Sequence, residues 1–336
     1  MIDWITCEIP CLHSPLNSGR IIKLNPSGEI DWESPSRTTV EGSYSDKVSV
    51  ISHGHLMDGK ATTLRISGNP SKFLQGHNVF GIDDLSRLMH LFTTDLFDRL
   101  DIHPRESDID AIIAGDYTVS RIDINYGFRL KSRTDVLSWI RAAEHKAKTR
   151  RSRSLRSGDT IYFGKHSRRW TLKFYSKGEE IQVHKLPDEL QKTPIAKYAD
   201  SILRAEICLR GMELRERNLH RATELTPEMV KKLFNEYMER LDMTGQQTLS
   251  DEIVTDLPRY LQATYLLWNT GADPKKSLTE RTYYRHRSEL LKYGVDINFL
   301  PDSITKMDNV VPLVRVLEAV PAEIPTWAYE QNLIAC

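Results

Sequence analysis

Three stretches of the sequence alternate apolar and polar residues as half-buried strands do, and their polar positions hold side chains with reactive chemistry. In residues 121–126, Ile122 and Ile124 predict one buried face, which leaves Asp123 and Asn125 on the other. Two further stretches, 170–177 and 203–210, repeat the pattern, and their polar sides carry Lys173, Tyr175, Lys177, Arg204, Glu206 and Arg210. If the three strands are neighbours in a sheet, one face collects all of these groups.

This set of side chains suits the transfer of a phosphodiester. Oxygen atoms of Asp123, Asn125 and Glu206 would favour a hard cation, Mg²⁺ or Mn²⁺, which would polarise the scissile phosphate. We expect Tyr175 to be the nucleophile, although a phenol with an ordinary pKa of about 10 needs help to ionise near neutral pH. Lys177, predicted on the same strand face, or the metal ion would lower that pKa or stabilise the transition state.

Several alternatives stay open at the level of the sequence. Tyr162 is the second candidate for the nucleophile and Tyr198 the third. The polar face could also be an ordinary solvated surface, or the phosphate-contacting surface of a non-enzymatic origin-binding or repressor protein. Asp123 and Glu206 would repel phosphate unless a cation lay between them, and this point favours an enzyme.

Charge is distributed unevenly along a chain that is neutral overall. Residues 129–185 hold 16 Lys and Arg against 5 Asp and Glu. Such a local basic segment is typical of a nucleic-acid contact, because closely spaced cations release counterions from the phosphate backbone. The arginines that we expect to contact DNA here are Arg150, Arg151, Arg153, Arg156, Arg168, Arg169 and Arg204. A solvated loop is the alternative interpretation of the densest part, residues 146–156.

The composition bounds the class of protein. A chain of 336 residues that is 40% hydrophobic and 27% charged predicts about two soluble globular domains. We find no apolar run long enough to span a bilayer and no signal peptide at the start, so we expect a cytoplasmic protein without a membrane partner. Four cysteines are too few for a disulfide framework and lack the spacing of a zinc site.

The elements that must position these residues are strands, hairpins and two helices. Hairpins are predicted around residues 21–32, around a turn at His53-Gly54-His55, and at 160–176, and helices are predicted to start at Asp83 or Asp84 and at Thr134. This order indicates an α+β domain over residues 1–221, an antiparallel sheet with helices on one face. Residues 222–336 are predicted to form a helical C-terminal domain, with one helix starting at Thr226-Pro227.

A basic and aromatic helix start is the most distinctive feature of the C-terminal region. It follows Thr279 and carries Arg281, Arg285 and Arg287, after a short segment that ends at residue 274. Helix-turn-helix proteins place such residues on base edges, so we expect these arginines to contact DNA. The alternative is an amphipathic helix with a solvated basic face, and the acidic residues at 251, 252 and 256 count against DNA.

The chain resembles the replication initiators of filamentous bacteriophages, which nick one strand to start rolling-circle replication. The resemblance rests on Met1-Ile2-Asp3, on residues 74–81 (Leu-Gln-Gly-His-Asn-Val-Phe-Gly), on 120–123 (Ser-Arg-Ile-Asp), on Thr171-Leu172 with Tyr175-x-Lys177, and on 309–315 (Asn-Val-Val-Pro-Leu-Val-Arg). The middle of the chain is also similar to plasmid rolling-circle initiation factors, through Arg-Ile-Asp, Tyr162-Phe163-Gly164 and Arg204-x-Glu206.

The resemblance implies a fold, a reaction and partners. It implies Asp123 and Glu206 near the metal, Tyr175 as the nucleophile, Lys177 beside it, and a phosphotyrosine intermediate. The plasmid factors have a carboxylate where this chain has Asn125, and His77 lies in a matching stretch, so both are further candidate ligands. The implied partners are a supercoiled double-stranded origin, the displaced single strand, and the helicase and polymerase of a host cell in whose cytoplasm the protein acts.

Overall fold

The computed structural model of the chain describes residues 1–16, 19–149, 152–153, 155–158, 160–243, 254–255, 257–270, 272–293, 295–297 and 321–335. Within these residues the fold is α+β, as the sequence predicts. No helix among them is long and apolar enough to cross a bilayer. Arg150, Arg151 and the matching stretch 309–315 lie outside the described residues.

One large antiparallel sheet dominates the structure. The strands are β1 (Ile2–His13), β2 (Arg20–Leu24), β3 (Ile30–Pro35), β4 (Thr38–Glu41), β5 (Lys47–His55), β6 (Ala61–Gly68), β7 (Thr118–Arg129), β8 (Ala147–Thr149), β9 (Ser152–Arg153), β10 (Leu155–Ser157), β11 (Thr160–Phe163), β12 (Trp170–Ser176), β13 (Ile202–Arg210) and β14 (Leu241–Met243). The sheet order is β10-β11-β12-β13-β7-β1-β6-β5-β4. The three strands singled out in the sequence, β7, β12 and β13, are therefore adjacent at its centre.

Helices connect and cover the strands. They are α1 (Pro70–Gln75), α2 (Leu85–Leu100), α3 (Glu106–Ile113), α4 (Arg133–Lys146), α5 (Lys177–His184), α6 (Asp188–Gln191), α7 (Ile195–Ala199), α8 (Gly211–Glu216), α9 (Pro227–Met238), α10 (Arg259–Asn269), α11 (Pro274–Ser277), α12 (Glu280–Leu290) and α13 (Thr326–Glu330). Several begin at predicted caps: the side chains of Asp84 and Thr226 accept hydrogen bonds from Arg87 N and Met229 N.

The main core lies between one face of the sheet and the long helices. Ile122, Leu172 and Ile207 are fully buried there together with apolar side chains of α2, α4 and α9. The ring of Trp139 lies 5.1 Å from that of Phe174, which joins α4 to β12. Strand alternation sends the other side chains of β7, β12 and β13 to the opposite face, as predicted.

Helix α9 belongs to this core, although the predicted boundary at residue 222 assigned it to the C-terminal domain. Its side chains Val230, Leu233 and Phe234 are buried in the main cluster, and the Phe234 ring lies 4.6 Å from that of Tyr126 on β7. Helices α10 and α12 bury a separate cluster that includes Trp268 and Tyr283. The sheet domain therefore continues at least to the end of α9.

Two local predictions are wrong. The turn of the second hairpin is not at His53-Gly54-His55: β5 continues to His55, which pairs with Ala61, and Leu56 N bonds Lys60 O across the turn. Helix α4 begins one residue earlier than expected, at Arg133, and Ser132 Oγ rather than Thr134 accepts from the Asp135 N–H. In the hairpin, the turn lies further along the chain, between Leu56 and Lys60. At the start of α4, a second hydroxyl residue, Ser132, accepts the capping hydrogen bond.

The basic segment forms short strands beside the main sheet. β8 and β9 make a small sheet with β14, in which Lys148 pairs with Arg153 and with Asp242. β10 then joins the edge of the main sheet through β11, where Arg156 pairs with Ile161. Of the densest basic part of the chain, β10 therefore forms the edge of the main sheet, with β11 between it and β12, whereas β8 and β9 belong to the separate small sheet.

Candidate active site

The polar face of the central strands forms a cavity of about 560 Å³. Strand register produces it: Lys173 pairs with Glu206, and Cys208, two residues further along β13, pairs with Asp123 of β7. The residues that line the cavity include Asp3, Trp4, Asn69, Asn78, Arg121, Asp123, Tyr162, Lys173, Tyr175, Glu180 and Glu206. Tyr175, Asp123 and Glu206 are thus brought together, as the sequence predicts.

Tyr175 and Glu206 are in direct contact. The Tyr175 hydroxyl donates a hydrogen bond of 3.2 Å to Glu206 Oε2. Lys173 Nζ lies 2.7 Å from the other oxygen, Oε1, and 5.3 Å from the centre of the Tyr175 ring. Because Lys173 is bound to Oε1, Glu206 is held with Oε2 toward the tyrosine. A hydroxyl and a carboxylate in hydrogen-bond contact are the arrangement of a nucleophile and its base.

The pKa values fit that pair. Burial raises the pKa of Glu206 to about 7; Lys173 opposes the shift, and the carboxylates of Asp3 and Asp123 add to it. Burial, and then the charge of Glu206, raises the pKa of Tyr175 well above its ordinary value of 10.0. The phenol is therefore neutral at rest, and a reaction at its oxygen needs a neighbouring group that takes the proton.

Asp3 is a third carboxylate of the cavity that the sequence analysis missed as a site residue. Its Oδ1 accepts hydrogen bonds from Asn69 Nδ2 at 2.7 Å and from Asn78 Nδ2 at 2.8 Å. The pairing of β1 with β7 shifts between Ile2 and Trp4, at Asp3. Two sequence signals pointed to Asp3: it is an acidic residue within the otherwise apolar start of a strand, and it belongs to the Met1-Ile2-Asp3 stretch that carries the resemblance.

Asp123 is fixed by the arginine of the Arg-Ile-Asp motif. Arg121 Nε and Nη2 donate to its two oxygens at 2.8 Å and 2.6 Å, a bidentate pair. The guanidinium carbon of Arg121 also lies 5.2 Å from the centre of the Trp4 ring. Arg121 therefore neutralises Asp123 and closes one wall of the cavity.

Lys177 does not lie on the strand beside Tyr175, which corrects the prediction. Strand β12 ends at Ser176, whose side chain accepts from Glu179 N and caps α5, so Lys177 is the first residue of that helix. Its Nζ donates to Asn78 Oδ1 at 2.6 Å and to Glu180 Oε2 at 2.5 Å. Burial lowers the pKa of Lys177 to about 8. The lysine thus reaches the cavity through Asn78, which in turn binds Asp3.

Two other predicted metal ligands lie outside this cavity. The Oδ1 of Asn125 accepts a hydrogen bond from Arg204 Nη1, and both side chains line a different cavity. His77 is buried, with Nε2 at 2.7 Å from the carbonyl oxygen of Leu333 and Nδ1 accepting from Val79 N. Burial lowers its pKa to about 4. His77 joins the 74–81 loop to the C-terminal residues.

The side chains of the cavity have the ligand atoms that a divalent cation prefers, but they are not arranged around a common point. Asp3, Asp123 and Glu206 offer only oxygen atoms, which Mg²⁺ and Mn²⁺ prefer. The charges of Asp3 and Asp123 repel that of Glu206 and raise its pKa, and a bound cation would relieve this repulsion. In the described part of the chain, however, no three acidic, histidine or cysteine side chains converge as a ready-made metal cluster. Each carboxylate is bonded to protein donors instead.

Comparison with known proteins adds to this geometry. Residues 1–228 match the N-terminal family model of the phage replication-associated proteins, and residues 249–334 match the C-terminal model of the same proteins. The chain belongs to this family of filamentous phage proteins. It is 42% identical over 330 residues to the replication-associated protein of Enterobacteria phage I2-2, covering 97% of this chain and 96% of the relative. The corresponding protein of Enterobacteria phage M13 is 23% identical over 328 residues, with 80% and 78% covered.

The arginines predicted to contact DNA fall into three groups. Arg168, Arg281 and Arg285 are exposed. Arg169, Arg204 and Arg287 are bonded to other groups of the protein: half-buried Arg169 contacts Glu213 and Glu216, Arg204 is buried, and Arg287 forms a bidentate pair with Asp296 at 2.7 Å and 2.9 Å. For Arg153 and Arg156 only the strands are described. The prediction therefore needs correction for Arg169, Arg204 and Arg287, whose guanidinium groups already bind protein acceptors.

Proposed function

We propose that this member of the phage replication-associated protein family nicks and rejoins one strand at a replication origin and so starts rolling-circle replication of phage DNA. The observation that carries the proposal is the hydrogen bond from the Tyr175 hydroxyl to Glu206 inside a cavity that also holds Asp3 and Asp123. A purely DNA-binding protein has no need of a buried phenol paired with a carboxylate whose pKa is raised to about 7.

The reaction is a transesterification. The Tyr175 oxygen attacks the phosphorus of one phosphodiester while its proton passes to Glu206. The bond from phosphorus to the 3′ oxygen breaks and that oxygen takes a proton from water, which leaves a free 3′ hydroxyl and a 5′ phosphate esterified to Tyr175. In the reverse step a 3′ hydroxyl gives its proton to water and attacks that ester, and Glu206 returns its own proton to the departing tyrosine oxygen. The bond energy is conserved in the ester, so rejoining needs no further source of energy.

Lys173 and Arg121 orient the carboxylates of this site. Lys173 binds Glu206 Oε1 and leaves Oε2 for the tyrosine, and Arg121 fixes both oxygens of Asp123. When bound, Mg²⁺ or Mn²⁺ would be held by Asp3, Asp123 and Glu206 and would supply Lewis-acid polarisation of the phosphate. Cations on the neighbouring sheet edge and exposed Arg168 would bind the flanking DNA backbone.

The products explain the partners that such a protein needs. A free 3′ hydroxyl is a primer for a host polymerase, and a host helicase would displace the strand that stays attached through its 5′ phosphate. We propose the supercoiled double-stranded origin as the substrate and the host cytoplasm as the place of action. The exposed arginines of α12 would contribute to binding the origin.

The test is incubation of the full chain with a supercoiled plasmid that carries the cognate origin, with Mg²⁺ and with EDTA. We expect a relaxed, nicked product and a protein–DNA adduct only with Mg²⁺, and mass spectrometry should locate the adduct on Tyr175. Specific origin binding without a nick or an adduct under any of these conditions would favour the non-enzymatic origin-binding protein instead.

A further inference from the structure

A second cavity, of about 290 Å³, lies next to the Tyr175 cavity on the same sheet. It is located where β7 extends beyond the start of β1, and Ala322 N donates to the Gly127 carbonyl oxygen there at 2.7 Å. Arg204, one of its lining residues, is the register partner of Tyr175 on the neighbouring strand. The two cavities are therefore separated by a single cross-strand pair of side chains.

Polar atoms of this second cavity lack partners among the described residues. Asn125 is fully buried, yet its Nδ2 has no hydrogen bond, and neither has Nε of Arg204, which is 1% exposed. Both side chains have fixed positions, because Asn125 Oδ1 accepts from Arg204 Nη1, and Val79 O accepts from Nη2 at 3.0 Å. Buried N–H donors without acceptors destabilise the fold unless a water or a ligand binds them.

Most of the remaining lining is apolar or aromatic, and its charged side chains are Asp83, Lys231 and Glu323. Phe80 and Tyr198 form one side, with ring centres 5.2 Å apart, and Ile202 and Ile324 contribute aliphatic surface. Exposed Lys231 of α9 lies at the rim. At roughly 30 Å³ per water molecule, the volume is that of several waters rather than one. Flat apolar walls, inward N–H donors and a cation at the mouth match a nucleobase with its phosphate.

We propose that this cavity binds one unstacked base of the DNA strand next to the scissile phosphate. The base would pack against Phe80 and Tyr198, and a carbonyl oxygen of the base would accept from Asn125 and Arg204. Guanine, thymine and cytosine each have a carbonyl oxygen, whereas adenine has none. The proposal rests on the proposed nicking function, since it places the strand at Tyr175. It also assigns a role to the 74–81 stretch, whose Val79 and Phe80 form the wall.

The test measures binding of single-stranded oligodeoxynucleotides that span the nick, in EDTA so that cleavage does not interfere. Each nucleotide in turn is replaced by an abasic one. We expect one position near the nick at which the abasic strand binds about tenfold more weakly than the intact one, as base stacking and pairing contribute. Adenine at that position should weaken binding too.

Two variants link that position to the cavity. Asn125→Asp keeps the acceptor for Arg204 but removes the free N–H donor, so it should bind the intact strand about tenfold more weakly and lose the abasic effect. Ala322→Trp at the rim should do the same by filling the cavity. Lys231→Met should weaken binding of every strand, whereas Lys232→Met, the matched exposed control outside the cavity, should not.

The outcomes separate this inference from the nicking function. An abasic scan without a sensitive position, or one in which both cavity variants keep the full abasic effect, overturns the base-binding cavity even if the Tyr175 adduct forms. A position-specific effect that both variants remove supports the cavity even if no adduct forms, and then only the nicking chemistry fails. Thermal unfolding of each variant near the wild-type temperature shows that lost binding is not lost folding.

Discussion

Arginines of the sheet face and arginines of helix α12 carry the same charge and do different things. On the sheet, Arg121 and Arg204 are bonded to Asp123 and Asn125 and give the cavities their shape. On α12, Arg281 and Arg285 are exposed. Arg204 is buried, and a buried guanidinium that lost its partners would cost several kcal/mol, so its role is to hold the neighbouring side chains in position. An exposed one can exchange water for phosphate at little cost. The following predictions test this division between chemistry on the sheet and affinity on the surface.

The largest effect is expected for Tyr175→Phe, which removes one oxygen atom from the sheet cavity. Nicking should fall by several orders of magnitude, because no other group replaces a missing nucleophile. Binding of the origin should stay within about tenfold, or 1.4 kcal/mol. The matched control is Tyr162→Phe, since Tyr162 lines the same cavity on β11. A nick at wild-type rate in the first variant and a large loss in the second would transfer the nucleophile to Tyr162.

The next largest effect concerns the carboxylates. EDTA should abolish nicking, and Mg²⁺ or Mn²⁺ should restore it. Asp3→Asn and Asp123→Asn should each raise the Mg²⁺ concentration for half-maximal activity by about tenfold or more, the typical cost of a lost ligand or of its support. Exposed Asp110→Asn on α3 is the control. Unchanged Mg²⁺ dependence in both site variants would contradict the proposed role of these carboxylates.

The third effect is a dependence on pH through Glu206. Its pKa is raised from 4.5 to about 7 in the fold, and as a base it must be ionised. The rate should therefore rise about tenfold per pH unit up to the pKa of Glu206 and level off above it, and a cation bound by the same carboxylates would move that point from pH 7 toward lower pH, because it favours the ionised form. A pH profile of single-turnover nicking measures this, and a flat profile between pH 5 and 8 (roughly the range in which a base poised near neutrality titrates) would contradict the assignment.

Glu206 should also affect the free energy of unfolding, which we expect to fall with rising pH whereas the nicking rate rises. Between the unfolded pKa of 4.5 and the folded value of about 7, the folded chain retains a proton that the unfolded chain has lost. The free energy of unfolding should therefore decrease as pH rises through this window, by linkage. Glu206→Gln cannot ionise and should remove that contribution. Denaturant unfolding at several pH values compares the two chains.

The comparison of sheet and surface also explains what the sequence could predict. Strand alternation fixes which residues of a strand share a face, so a period of two predicted that Asp123, Tyr175 and Glu206 would share one polar face if their strands were neighbours, and the structure shows that the strands are adjacent. Asp3 was missed because β1 shifts its register with β7 there, a tertiary feature. The position of Lys177 was predictable after all: Ser176-x-x-Glu179 is a helix-capping pattern, and it marks the end of the strand.

Burial decided the remaining cases. His77, Asn125 and Arg204 were assigned by residue type to metal or DNA, yet each is bonded to protein partners through the long-range contacts of the fold. For instance, His77 bonds a carbonyl 256 residues away. Such contacts depend on which loop covers which strand end, and neither composition nor periodicity contains that information. Residue type and strand alternation therefore predicted which side chains share the sheet face better than which arginines are exposed.

The smallest effect is expected for the exposed arginines of α12. Arg281→Ala with Arg285→Ala should weaken binding of the double-stranded origin, by about 1–3 kcal/mol for each side chain that contacts a base and without a change in cleavage of a single-stranded substrate. If they contact phosphate instead, the slope of log K against log[salt] should flatten by about 0.9 per contact, equally for every sequence.

Arg287→Ala is the contrasting variant on the same helix. It breaks the pair with Asp296, so it should lower the thermal stability of the C-terminal helices. If the double variant changes neither the salt slope nor origin binding, we would assign the affinity for DNA to the basic segment at the sheet edge. The sheet domain would then supply both the chemistry and the affinity.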